Sequence, residues 1–245
     1  MGESRHVSSM KVVLPGDLIM ELPVKPVDTS ENVFLGPGLR WKDGVVRATR
    51  PGILKKDSRN LYFIESHQKR YIPQKREFVV GTVIKNKGNS YLVDIGSHEP
   101  ATISFLAFEN ASKKTRKDLR LGDLIYGQLL VANKDMEPEL VCIDFYNRAV
   151  GMGTLPDGGL LFKVPLHVAR SLVNPSNPFL LELGARLSFS IVVGFNGRVW
   201  VKAKNMADMT SVMHAVSLLE CMSTEEALIK MHSVIDSVLS QCAVD

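Results

Sequence analysis

The stretch "IVVGFNGRVWV", residues 191–201, decides how the last third of the chain is read. It contains Gly194-Phe195-Asn196-Gly197, a G-x-x-G tetrapeptide of the kind that one class of RNA-binding domain uses to grip a nucleic-acid backbone. Such a grip needs the tetrapeptide between two helices, where helix N-terminal amides and a close backbone approach hold the phosphates. Here the neighbours are β-branched or aromatic on both sides: Ile191, Val192 and Val193 before it, Val199, Trp200 and Val201 after it. Asn196-Gly197 also tolerates the positive φ angles of a type I′ turn. The expectation is therefore a hairpin, with Gly194, Asn196 and Gly197 as structural turn residues rather than a clamp.

Working outward, "GLLFKV" precedes the hairpin as a strand, and a helix opens at Pro165 and stops before Asn174-Pro175. A second short helix runs to Gly184, and the segment between the two, "SLVNPSNPFL", has no glycine to clamp with. After the hairpin, Met206, Met209, Met213, Val216 and Leu219 recur at helical spacing. Ser223 and Glu226 form a capping box that opens a last helix. This order over residues 149–245, strand-helix-helix-strand-strand-helix with an extra C-terminal helix, is that of a KH-type α+β domain.

Upstream the pattern is short strands and turns. Residues 76–148 read as five antiparallel strands with a long basic loop, "ASKKTRKDLRLGD", after the third, and "PELVCIDF" as the fifth, which predicts a five-stranded OB barrel. Residues 1–75 read as a small β domain with an Asp43-Gly44 hairpin, its first strand followed by a loop holding Pro23 and Pro26. Gly-Asp precedes a strand twice, in "LPGDLI" and "RLGDLI", as repeated turn chemistry. The fold class is multidomain and β-rich with an α+β end.

The formal net charge is +4, and its distribution says more than its size. Residues 1–75 carry thirteen Lys and Arg against eight Asp and Glu, the next seventy-five balance, and the remainder is slightly acidic. Basic clusters attract phosphates through counterion release. No apolar stretch approaches bilayer length, and "MGESRHVSSM" has no secretory core, so neither a membrane partner nor an exported protein is expected. Cys142, Cys221 and Cys242 are too far apart for a metal knuckle and odd in number, which fits a reducing compartment.

Chemistry is harder to find. "GMGTLPDGG" misplaces the third glycine of a dinucleotide loop and leads into a strand. The six histidines never pair at ligand spacing, and Asp94, Asp123 and Asp144 sit in turn contexts where capping accounts for them. No catalytic residue, metal ligand set, cofactor or small-molecule substrate is expected. Binding remains: Tyr91, Phe105 and Phe108 lie on or near OB strands where rings can stack on the bases of single-stranded RNA, flanked by Lys85, Lys87, Lys113, Lys114, Arg116 and Lys117. Alternation leaves open whether these rings face RNA or fill the barrel.

"GDLIYGQLLVANKDMEPELVCID", "NRAVGMG", "GLLFKV" and "GFNGRVWVKAK" closely resemble the cap subunits of the eukaryotic RNA exosome, over a span from about Val12 to the last helix. The resemblance implies a non-catalytic RNA-binding subunit. It would sit with other cap subunits on a ring of RNase PH-like subunits and guide RNA into the central pore for 3′→5′ processing and degradation. It implies that the first domain docks on the ring, that the barrel faces the pore, and that Gly194, Asn196 and Gly197 pack the KH domain against the barrel. It further implies residence in nucleus and nucleolus, and also in cytoplasm. Cap subunits with a zinc ribbon are excluded by the cysteine spacing. Asn89 and Thr102 stand where strong RNA binders of this barrel type carry an aromatic and a histidine, so weak RNA affinity is expected. An exoribonuclease active by itself and a free-standing RNA-binding protein are the alternatives.

Overall fold

A computed structural model describes residues 11–21, 33–57, 60–66, 69–112, 117–133, 135–174, 177–222 and 224–242. Two compact units divide the chain between residues 68 and 69.

The first unit is all β: β1 (Lys11–Val13), β2 (Leu18–Glu21), β3 (Phe34–Leu35), β4 (Leu39–Lys42), β5 (Val45–Ala48), β6 (Gly52–Lys56) and β7 (Leu61–Glu65). They form two sheets, ordered β1-β6-β7-β3 and β2-β5-β4, around Val13, Ala48 and Ile64. Asp43 and Gly44 both take positive φ, 53° and 80°, as a two-residue loop needs to match the twist of β4 and β5. Pro23 and Pro26 lie outside the described residues.

The second unit opens with the barrel: β8 (Phe78–Asn86), β9 (Ser90–Asp94), β10 (Ala101–Ser104), β11 (Leu124–Val131), β12 (Glu139–Val141) and β13 (Gly153–Thr154). The order β12-β10-β9-β8-β11-β13 closes on itself because β12 also pairs with β11. One pairing differs from the all-antiparallel expectation: β10 and β12 run parallel. Five strands close the ring, and an odd number cannot alternate in direction all the way round, so with the other four pairings antiparallel the fifth must be parallel. The fifth strand stops at Val141, leaving Phe145 in the turn beyond it. Val79, Val83, Val93, Ile95, Ile103, Ile125, Leu129 and Leu140 fill the interior at every second position, and Tyr71 joins them from ahead of the first strand.

The two Gly-Asp turns share one design. The Asp17 carboxylate accepts the Leu14 N–H at 2.8 Å, and that of Asp123 accepts the Arg120 N–H at 2.8 Å. The glycine before each has φ above +90°, 98° at Gly16 and 94° at Gly122. This is local turn chemistry used twice.

The chain then forms β14 (Leu160–Lys163), α1 (Leu166–Val173), α2 (Phe179–Arg186), β15 (Phe189–Val193), β16 (Arg198–Ala203), α3 (Met206–Leu218) and α4 (Thr224–Cys242), with sheet order β14-β16-β15. β16 is central and buries Arg198, Val199, Trp200 and Val201 in succession, because helices cover one face and the barrel and a glycine turn cover the other. α1 turns Val168, Ala169 and Leu172 onto that sheet. α2 continues two residues past Gly184. In α3 two residues of the expected stripe fall outside the core: Met206, the first helical residue, is 65% exposed and Met213 is only half-buried, while Val212 and Ala215 join Met209, Val216 and Leu219 inside. Met231 and Ile235 carry α4 onto the same core. Ser223 of the capping box lies outside the described residues.

β15 and β16 pair across the opening tetrapeptide, which is therefore a hairpin. Its turn is not type I′: Gly197 alone has positive φ, at 75°. The Gly197 N–H donates to the Gly194 carbonyl at 3.0 Å, and the Gly194 N–H to the Arg198 carbonyl at 2.9 Å. The result is a three-residue loop whose last residue is left-handed. In this geometry the Asn196 side chain points away from its own sheet.

That side chain reaches the barrel. Asn196 Nδ2 donates to the carbonyls of Val80 and Ile95, both at 2.8 Å, and Asn196 Oδ1 accepts the Val80 N–H at 3.3 Å. The Phe195 N–H donates to the Phe78 carbonyl at 2.8 Å. Gly194 has no room for a side chain, since a Cβ would fall 2.7 Å from the Val80 nitrogen. Asn196→Ala would orphan three buried backbone groups at once, and is expected to cost about 2–4 kcal/mol of the second unit's stability. Urea titration of the full chain checks this, and a loss below about 1 kcal/mol would contradict it.

Candidate nucleic-acid interface

The joint continues from Asn196 into Arg198. Its guanidinium donates to the Asp94 carboxylate at 2.6 Å and to the Asp94 carbonyl at 2.6 Å, with the Arg198 side chain only 7% exposed. Asp94 also accepts the Gly96 N–H at 2.9 Å. Burial by itself would raise the Asp94 carboxyl, but the Arg198 hydrogen bond, the Gly96 N–H and the Arg198 charge outweigh it and hold the group below its ordinary value. Leu166 and Phe195 add apolar contact to the barrel core from the KH side. Barrel and KH domain thus meet through a polar lock rimmed by hydrophobic packing.

The lock decides what the G-x-N-G can do chemically. Its Asn side chain and its Phe195 amide point at barrel carbonyls, not at solvent where a phosphate could lie. No helix starts at the tetrapeptide. The residues that grip a backbone elsewhere here grip another domain.

The candidate RNA contacts gather around one end of the barrel. Ser90 pairs with Ser104, the Phe105 N–H donates to the Asn89 carbonyl at 3.4 Å, and the Cys142 N–H donates to the Ala107 carbonyl at 2.9 Å. These bonds bring together the β8–β9 hairpin, the segment after β10 and the exit of β12. Lys85 and Lys87 are exposed at the hairpin, with Lys87 Nζ 4.0 Å from Glu137. Lys117 is exposed, its Nζ 5.4 Å from the Phe108 ring centroid. Lys113, Lys114 and Arg116 lie outside the described residues.

The three rings are not surface residues. Tyr91, Phe105 and Phe108 are 6%, 9% and 4% exposed and belong to the barrel core. Tyr91 Oη donates to the Lys117 carbonyl at 3.1 Å and accepts the Leu119 N–H at 3.4 Å, tying the basic segment to the wall. Of the two orientations left open by alternation, all three take the inward one, and none can stack on a base without opening the barrel. Phe105 and Phe108 follow the last residue of β10, in a turn where the period of two no longer applies.

The outer faces of β9 and β10 present Ser90, Leu92, Thr102 and Ser104, without an aromatic ring. Exposed rings occur instead in a loop that sequence reasoning passed over: Phe145 is 93% exposed and Tyr146 70%. The available signal was "DFYNR", two adjacent aromatics ahead of an Asn that favours a left-handed turn. Among the described residues no group of His, Cys, Asp and Glu is arranged to hold a metal ion.

A closed barrel with a KH-type domain locked to its wall defines a two-module protein assembled from folds of nucleic-acid-binding type. Family comparisons match "Exosome complex component RRP40, S1 domain" at residues 71–153, a KH domain at 159–206, and the "Exosome complex exonuclease Rrp40 N-terminal domain" at 33–70. Exosome complex component RRP40 of Mus musculus is 45% identical over 199 residues, 79% of this chain and 73% of its own length. The Schizosaccharomyces pombe protein of that name is 35% identical over 233 residues, 93% and 96% of the two chains. That of Saccharomyces cerevisiae is 33% identical over 219 residues, 85% and 88%. The chain belongs to the family of exosome complex component RRP40.

The lock should be acid-sensitive. A carboxyl whose folded pKa is depressed contributes stability above its unfolded value, about 3.9, and loses it as pH falls through the folded value. Wild-type stability should therefore drop below about pH 4 more steeply than that of Asp94→Asn, whose curve lacks this component. Urea midpoints across an acid series test this; parallel curves would contradict it.

Proposed function

We propose that this chain is a non-catalytic, RNA-binding cap subunit of the RNA exosome. In this reading it helps hold a ring of RNase PH-like subunits together with other cap subunits. It leads single-stranded RNA toward nucleases held elsewhere, for processing and degradation of ribosomal, messenger and other RNAs. The observation that carries the reading is the use of Asn196 on the barrel carbonyls. The KH domain is thereby an architectural part, and RNA contact falls to the basic end of the barrel. Membership of the RRP40 family supports the assembly, since the relatives are named as components of the exosome complex. In the same reading it works in nucleus and nucleolus, and also in cytoplasm.

The mechanism is electrostatic guidance. Lys85, Lys87 and Lys117 surround one rim and are exposed, with Glu137 4.0 Å from Lys87 Nζ. They would neutralise phosphates and release counterions whatever the base sequence. With Tyr91, Phe105 and Phe108 inward, the outer faces of β9 and β10 offer no ring for stacking. Binding by the isolated chain is therefore weak, on the order of micromolar or poorer at physiological salt.

Two measurements on the full chain test this. Fluorescence anisotropy with labelled single-stranded RNA should show that affinity falls steeply with salt. Joint replacement of Lys85, Lys87 and Lys117 by Ala should flatten the log–log slope by roughly 0.7 per lost contact. Incubation of labelled RNA with Mg²⁺ or with phosphate should leave it intact. Processive shortening abolished by one carboxylate substitution would make the chain an exoribonuclease in its own right, and nanomolar binding insensitive to salt would overturn the electrostatic account.

A further inference from the structure

Between β12 and β13 the chain makes a projection that the barrel does not need for closure. The Asp144 N–H donates to the Arg148 carbonyl at 2.8 Å, the Asn147 N–H donates to the Asp144 carbonyl at 2.9 Å, and Asn147 is left-handed with φ of 59°. This is the same closed three-residue loop that the chain uses at Gly194–Arg198, where the tip docks on another domain. Here the tip carries Phe145 and Tyr146 into solvent. Turn centres are ordinarily filled by polar residues, Gly or Pro. Two aromatic rings at 93% and 70% exposure contribute almost nothing to the core of this unit.

The rings are nevertheless held in a defined arrangement. Their centroids are 5.7 Å apart at an interplanar angle of 88°, and the Arg148 guanidinium carbon lies 5.3 Å from the Tyr146 centroid. Both roots of the projection are fixed: the Cys142 N–H donates to the Ala107 carbonyl, and Gly153 and Thr154 pair with Tyr126 and Ile125 of β11. The first root is at the rim that carries Lys117. Burial pushes the Cys142 thiol up to about 12, and the Lys117 charge is near enough to act against that shift.

We propose that Phe145, Tyr146 and Arg148 form a stacking platform for a nucleobase of single-stranded RNA, continuing the basic rim formed by Lys85, Lys87 and Lys117. The inference rests on the RNA-binding reading above and supplies the ring faces that the outer sides of β9 and β10 lack. Proteins that hold single strands without sequence preference combine cations along the backbone with aromatic faces for the bases. The basic rim offers cations, Tyr91, Phe105 and Phe108 beside it face inward, and exposed ring faces are on this loop. A protein partner fits less well. The rings are flanked by exposed Asp144, Asn147 and Arg148, and two side chains at a loop tip match the size of a base better than a protein interface of about 800 Å² per side. Fixing the rings beforehand lowers the ordering cost of stacking.

The test uses the full chain and fluorescein-labelled single-stranded oligoadenylate, with the double variant Phe145→Ser/Tyr146→Ser and the ring-preserving Tyr146→Phe. Loss of both rings should weaken binding about tenfold and leave the salt slope unchanged, because no phosphate contact is removed. Tyr146→Phe should bind like wild type. An iodouridine-substituted strand should crosslink under ultraviolet light to the peptide containing Phe145 and Tyr146. If wild type binds RNA and the double variant binds equally well, with no crosslink at the loop, the platform is wrong and the basic rim stands alone. If wild type binds no RNA, alone or within the assembled complex, both readings fall. If the double variant keeps its RNA affinity but drops out of the assembled complex, the loop is a protein contact and the proposal is overturned.

Discussion

A carboxamide sits at the centre of the polar lock that joins the barrel and the KH domain. Asn196 exchanges three hydrogen bonds with backbone groups of Val80 on β8 and of Ile95 just after β9, more than a hundred residues earlier in the chain. Each of those groups would otherwise be buried without a partner or left to water. Around this contact the sequence is constrained on every side. Gly194 leaves space for the Val80 nitrogen, and Gly197 supplies the left-handed residue that aims Asn196 outward. Arg198 extends the same contact to Asp94. A tetrapeptide that could have bound phosphate is occupied by protein carbonyls instead, and the KH domain becomes a fixed extension of the barrel.

With the KH turn occupied and Tyr91, Phe105 and Phe108 in the barrel core, neither domain presents its usual set of nucleic-acid contacts. What remains outside is charge, spread around one rim and tied down by the Tyr91 hydroxyl. A surface of that sort attracts any single strand and retains none tightly, which suits passage better than capture. The Phe145–Tyr146 loop would give a passing strand one place to pause.

Much of this was legible in the sequence, for identifiable reasons. Asp43-Gly44 and Asn196-Gly197 both predict hairpins, because turn residues between β-branched runs leave few other conformations. The helices of the last domain follow from periodicity, with differences at ends such as Met206 and Arg186 and at Met213, which stays half-buried while Val212 and Ala215 face the core. What sequence could not supply was direction. Whether Tyr91 faces in or out depends on register, and register is a property of the closed barrel rather than of any one strand. The parallel pairing of β10 with β12 is non-local in the same way. The run "PELVCIDF" places Phe145 on a strand because its apolar residues do not announce the strand's end; the turn after Val141 is set by the Asp144–Arg148 closure.

Native-state hydrogen exchange on the full chain, comparing wild type with Asn196→Ala, addresses the central claim most directly. If the carboxamide couples the two domains, wild-type amides of β8 and of β16 exchange through one shared opening. The substitution should then accelerate both sets, including positions far from the turn. Acceleration confined to residues 194–198 and the Val80 amide, with β16 and the rest of β8 as protected as before, would contradict the account.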